Sequence, residues 1–424
     1  MTGDRIAAGV LAATGTVVAL AALLSAVARR IGQPPVLGQV IAGIALGPSL
    51  LGQLPSDPSA RLVPDETLPY LAVLGQVALV LFMFSVGYEL DTALLRRQGA
   101  AVTAVSLAAL AVPLLVGVGL GVLVLHLGEA PAGGPQGWVF PLYLAVALSI
   151  TAMPVLSSII RDKGLAGTVP GTVATASAAL TDVVGWLLLA GVVALAGPAA
   201  RRPAELMALL LCYLLAMLVL ARPALRITVR AGGLRDGLRD GPLVALALLS
   251  GWATTALGLH AVFGAFLAGL LMPRRPDGTP DPELRSWTER TGGLLLPVFF
   301  IATGWSVDIR GLDGGDVPLL AALLVSAVAV KLGGCTLAAR LGGRPWRESL
   351  VIGALMNTRG LTELIALNVG KQAGLLDDRW YTLLVCVAVV TTAMTGPLLS
   401  WIRWPVPPRE PDRPPTAVER IPGP

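Results

Sequence analysis

The chain alternates long apolar runs with short polar breaks. An apolar stretch of about 20 residues crosses a bilayer as a helix. Reading such stretches along the chain predicts thirteen spans, roughly 6–28, 36–52, 68–89, 99–126, 138–160, 170–196, 204–221, 242–257, 260–273, 292–307, 316–340, 347–370 and 380–402. The second and ninth are short and punctuated by Gly and Pro. The run 6–28 ends in Ser25-Ala-Val-Ala28, which imitates a signal-peptide cleavage site. It is longer than the ~7–15 apolar residues of a signal-peptide core, so it is read as a span.

Two spans depart from the apolar pattern in a way that bears on chemistry. The fifth contains Ser149-Ile-Thr151-Ala-Met-Pro154, and the sixth contains Ala179-Leu-Thr181-Asp182-Val-Val-Gly185-Trp186. A carboxylate at the depth of Asp182 costs at least ~2.5–3.5 kcal/mol unless it faces water, a cation or a partner. Pro154 interrupts its helix, and the backbone groups this frees are tolerated at membrane depth only along a polar cavity. A broken helix beside a lone buried acid is suited to a small cation.

The pattern also repeats. Val36-Leu-Gly38-Gln-Val-Ile-Ala42-Gly43 in span 2 matches Val262-Phe-Gly264-Ala-Phe-Leu-Ala268-Gly269 in span 9. Phe82, Gly87 and Asp91 match Phe299, Gly304 and Asp308 at a constant offset of 217. The copies are seven spans apart, an odd number, so they face opposite ways. That is an inverted-topology repeat, found in many secondary transporters. Repeat one covers about 6–196, repeat two about 242–402, and 204–221 connects them. Symmetry then requires a broken counterpart of span 5 in span 12. It reads Asn357-Thr358-Arg359-Gly360-Leu-Thr362-Glu363, a polar, Gly-containing interruption. The expected fold is an all-α polytopic membrane protein with two broken helices crossing near the midplane.

Composition agrees with the spans. The 424 residues are 55% hydrophobic and 13% charged, against roughly 25% charged in soluble domains, and the mean hydropathy is +0.76. The net charge of +5 is too small to suggest nucleic acid. Its distribution is informative instead: with the N-terminus outside, 22 of the 31 Lys and Arg residues fall in inner segments and seven in outer ones. That bias predicts a cytoplasmic C-terminus, with 403–424 a short tail, rich in Pro and Arg, that is disordered and followed by no soluble domain. Cys212, Cys335 and Cys386 lie apart in apolar runs, and His126 and His260 have no ligand-spaced neighbours, so neither metal nor disulfide is expected. No phosphate-binding Gly loop or nucleophile–base pair appears, so no enzyme activity and no cofactor are expected. An intramembrane acid protease would need two cooperating carboxylates, and only Asp182 and Glu363 lie deep enough.

Six stretches, 37–51, 79–91, 149–160, 178–186, 297–308 and 357–371, resemble the monovalent cation:proton antiporter-2 family in sequence and in order. That family includes bacterial sodium/proton antiporters, Kef-type potassium/proton systems and plant cation/proton exchangers. The resemblance implies a sodium/proton antiporter-like fold, a homodimer with a dimerisation domain and a mobile core domain, and an elevator-like motion. By position, Asp182 matches the ion- and proton-binding aspartate. Lys331 matches the lysine of many electrogenic members, acting as proton carrier or ion-pair partner. Thr151–Pro154 and Asn357–Gly360 match the crossing breaks. Electrogenic members typically carry a second aspartate where Thr181 stands, which leaves one carboxylate here and makes two-proton stoichiometry depend on Lys331, which loses its usual partner.

Each residue also has a plainer reading. Thr181 either offers a ligand with Thr151 or bonds its own helix backbone. Arg359 and Glu363, four residues apart, are expected to form a salt bridge that holds the span-12 break. The expected function is exchange of Na⁺ or K⁺ for H⁺, since one acid holds a proton or a cation and not both. The alternative is a gated K⁺ efflux channel of the same fold. The plant-exchanger style of 357–364 leans towards potassium.

Overall fold

The computed structural model describes residues 3–47, 49–53, 62–89, 99–132, 137–196, 208, 212–213, 215–223, 240–257, 260–275 and 281–402. The connector 204–221 lies mostly outside them, apart from a π-helical turn at Met217–Ala221. Asp91, the Arg-rich stretch 226–239 and the tail 403–424 also lie outside.

The described helices are α1 (Gly3–Arg30), α2 (Pro35–Leu46), α3 (Leu68–Glu89), α4 (Ala100–His126), α5 (Val139–Ser149), α6 (Met153–Asp162) and α7 (Val169–Ala196) in the first half. The second half holds α8 (Asp240–Ala256), α9 (Ala261–Leu271), α10 (Pro282–Trp305), α11 (Asp316–Leu341), α12 (Trp346–Met356), α13 (Leu361–Gln372) and α14 (Asp378–Ile402). Among the described residues, seven helices are long and apolar enough to cross a membrane. The tenth expected span begins earlier than its apolar run at 292, because Asp281 caps Glu283 and Leu284 and starts α10 at Pro282.

Spans 5 and 12 are both broken. Helix α5 stops at Ser149 and α6 restarts at Met153, with Pro154 in its first turn, where a missing N–H costs nothing. Helix α12 stops at Met356 and α13 restarts at Leu361 after Gly360, whose φ of 130° is open to glycine and strained for other residues. The two interruptions touch: Ala152 N–H donates to the Thr358 carbonyl at 3.4 Å, and the Thr362 hydroxyl to the Thr151 carbonyl at 3.4 Å.

The helices pack as two bundles. The flanking bundle joins α1, α2, α3, α8, α9 and α10; the site bundle joins α4–α7 and α11–α14. Within each, the pairings come in matched sets, α2 on α10 as α9 on α3, and α4 on α5 as α11 on α12. Glycines allow the closest approaches. A Cβ on Gly43 would lie 2.3 Å from the Ile301 carbonyl oxygen, and one on its repeat partner Gly269 would lie 2.0 Å from that of Phe84. Gly38 and Gly264 meet the Leu24 and Ser250 carbonyls in the same way. Transmembrane helices associate largely through such close backbone packing, so the small residues of the sequence repeat are also its contact points.

One apolar core runs through both bundles, and specific contacts cross between them. Trp186 of α7 packs on Phe263 and Phe266 of α9, at centroid distances of 6.0 and 6.4 Å. His260 caps α9 by accepting from Val262 N–H and reaches Gln372 of α13 at 3.1 Å. Tyr381 and Thr382 of α14 meet the Thr303 carbonyl and the Asp308 N–H. Gln33, between α1 and α2, also donates to the Ala393 carbonyl of α14 at 3.2 Å.

Candidate functional site

The site is assembled from the loose ends of the broken helices. Helix α5 ends with carbonyls that have no intrahelical partner and with the negative pole of its dipole. Two buried cations cover it. Arg359 donates to the Ala147 carbonyl at 3.3 Å and to the Leu148 carbonyl at 2.8 Å. Lys331 donates to the Ser149 carbonyl at 2.5 Å and to the Thr151 hydroxyl at 2.7 Å. Its third bond, 3.0 Å long, reaches the Ala109 carbonyl of α4. All three ammonium protons therefore meet neutral oxygens. Lys331 projects from a π-helical turn, Ala329–Gly333, inside α11, a local widening frequent at functional sites.

Arg359 pairs with Glu363 at 2.5 Å, both fully buried. The pair ties the α12–α13 break to the first turn of α13, so Arg359, which satisfies α5, is itself held by the second broken helix.

Asp182 lies on α7 against the other side of the first break. It is 1% exposed, and neither carboxylate oxygen has a hydrogen-bond partner. The polar groups nearest in effect are the Met153 backbone N–H, at the N-terminus of α6, and the Lys331 ammonium. Of the two readings of Lys331, the ion pair with Asp182 is not the arrangement found. A bare buried carboxylate costs several kcal/mol, so Asp182 is stable here with a proton or with a cation beside it. The half-helix N-terminus adds a modest attraction for its charge.

The remaining expected residues fall around this centre. Thr181 donates its hydroxyl to the Ala178 carbonyl at 3.0 Å, the local bond that competed with a ligand role. The hydroxyl of Thr151 is occupied by Lys331. Asn357 donates to the Thr391 carbonyl at 3.4 Å and leaves its own side-chain oxygen unpaired. Thr358 meets Thr395 at 3.3 Å. His126 is exposed at the end of α4.

Sequence reasoning missed two contributors. The Ser149 and Ala109 acceptors are backbone carbonyls, which no residue type announces. Pro113, inside α4, did carry a signal: proline has no N–H, so the carbonyl four residues earlier loses its helical donor. That carbonyl is Ala109.

Comparison with known proteins places this geometry. The chain is 34% identical to "Cation/H(+) antiporter 20" of Arabidopsis thaliana over 92% of its own length and 48% of the relative's. It is 34% identical to "Na(+)/H(+) antiporter NhaS4" of Synechocystis over 92% of its own length and 96% of that protein's. It thus spans about half of the plant relative and nearly all of the cyanobacterial one. The solved structure of the sodium proton antiporter MjNhaP1 from Methanocaldococcus jannaschii superposes with a TM-score of 0.67, at 15% identity, covering 92% of this chain and 96% of that one, which shows a shared fold. The profile described as "Sodium/hydrogen exchanger, transmembrane" matches residues 16–404, and the chain therefore belongs to the transmembrane sodium/hydrogen exchanger family.

Proposed function

We propose that this chain is a secondary transporter that exchanges a monovalent cation, Na⁺ or K⁺, for protons by alternating access. The observation that carries the proposal is Asp182, a fully buried carboxylate without a hydrogen-bond partner, set against the crossing of two broken helices. A proton and a cation each relieve the cost of that buried charge, and they exclude one another. Coupling follows, because the acid leaves each face carrying whichever ion it took up there. The names of the relatives, among them "K(+)/H(+) antiporter 1" of Saccharomyces cerevisiae, 31% identical over 87% of this chain, support the same class.

In this reading Asp182 binds the ion, Arg359 and Glu363 hold the helix ends in place, and Lys331 caps α5 and carries a proton. Thr151 and Thr181 contribute through the backbone around the site. The site bundle is the moving part and the flanking bundle the fixed one, in a homodimer with the N-terminus outside and the C-terminus cytoplasmic. The arginine-rich inner segments support that orientation.

The test is exchange in proteoliposomes, with sodium and potassium offered separately under an imposed voltage. Asp182→Asn should abolish cation-driven pH change while the protein purifies with an unaltered melting temperature. Exchange insensitive to voltage corresponds to one proton per cation. Cation flux that persists in Asp182→Asn, or that runs with no proton movement in the native chain, would sink the proposal.

A further inference from the structure

We infer that Pro113 is a positioning residue for Lys331, turning one carbonyl of α4 into part of the seat of the buried ammonium. The argument begins with a donor that is not there. In a regular helix the Ala109 carbonyl would receive the N–H of residue 113. Proline supplies none, and its ring pushes the carbonyl four residues back away from the helix axis. Pro113 lies mid-helix and buried, not in a first turn where proline is harmless. The freed carbonyl does not go unsatisfied: Lys331 Nζ donates to it at 3.0 Å from the opposite repeat. The other acceptors of that ammonium are of the same kind. One is the Ser149 carbonyl, freed where α5 stops, and the other is Thr151, in the break itself. Helix interruptions in two different spans thus converge on one amine.

The consequence concerns how Lys331 behaves when the site bundle moves. Lys331 is held by neutral oxygens whose directions are set by backbone. Restoring an N–H at position 113 offers the Ala109 carbonyl its regular partner and draws it back to the helix axis. Lys331 then keeps two acceptors and loses part of the third. A hydrogen bond to a charged group is among the stronger side-chain bonds, so the ease with which Lys331 gains and releases its proton changes, while no atom that Asp182 touches is altered.

This inference rests on the antiport reading only for its transport arm. The experiment is a double-mutant cycle on the full chain with Pro113→Ala and Lys331→Met, singly and together. Pro113→Gly, which also restores the N–H, serves as the second variant should the alanine form not fold. In proteoliposomes, Pro113→Ala should move the midpoint of the pH profile of exchange by roughly one unit. It should move nothing in the Lys331→Met background, and if that background shows no exchange the melting cycle alone decides. In detergent, the melting temperatures of the two substitutions should be non-additive. Non-additive melting in a native chain that shows no exchange supports the seat and defeats the antiport reading. Additive melting, with the pH profile unmoved or moved equally in both backgrounds, overturns the inference.

Discussion

At the scale of single residues, the buried charges divide into two kinds. Arg359 and Glu363 neutralise each other at 2.5 Å, and Arg359 also serves two carbonyls of α5. Asp182 has no such partner. The difference predicts different mutant behaviour. Arg359→Met leaves Glu363 buried and uncompensated, which costs about 3–5 kcal/mol. A lowered melting temperature would record it, with the double substitution Arg359→Met, Glu363→Met recovering part of the loss. Asp182→Asn removes a charge that no side chain pairs and should leave the melting temperature unaltered. If Arg359→Met melted like the native protein, the pair would not be what holds the second break.

At the scale of elements, two devices position the helices, and each can be tested without any transport assay. One is the repeated glycine contact. Gly43→Ala puts a methyl 2.3 Å from the Ile301 carbonyl oxygen, backbone that cannot turn aside. Helices α2 and α10 must then separate, and overpacking of this sort costs typically 1–3 kcal/mol. The repeat partner Gly269→Ala should lower the melting temperature by a similar amount. The other device is the His260 cap. Ring nitrogen Nδ1 accepts from Val262 N–H, so His260→Ala should destabilise by about 1 kcal/mol and His260→Asn, a good N-cap, by less. Equal losses from both would point to the Gln372 contact as the stabilising part.

At the scale of the whole molecule, the two bundles share an apolar core and a set of specific side-chain contacts. Trp186 packs on Phe263 and Phe266, and His260 meets Gln372 at the end where α13 finishes and α9 starts. If the site bundle moves past the flanking bundle, these contacts must part in each cycle. A short bifunctional crosslink between His260→Cys and Gln372→Cys, in a chain whose three native cysteines are serine, should arrest exchange. Cleaving the linker should restore it. Exchange that continues at the native rate with the crosslink closed would mean that the bundles do not move relative to each other at that end.

Much of this arrangement was legible along the chain, and the reason is the bilayer. Lipid offers backbone groups no hydrogen bonds, so spans must be long apolar helices, and any interruption or charge within one stands out against that background. Hence the breaks at 149–154 and 357–360, the isolation of Asp182 and the spacing of Arg359 and Glu363 were visible in residue order alone. The duplicated Gly pattern carried the inverted repeat for the same reason, since close packing in lipid selects small residues. What tertiary structure alone decided is which polar group satisfies which. Lys331 could have faced Asp182, but three oxygens from α4 and the span-5 break receive it instead. Two of these are main-chain carbonyls of Ser149 and Ala109, identical in chemistry to every other carbonyl in the protein. Their role comes from where helices stop or lack a donor, and from the folding that brings α11 against them.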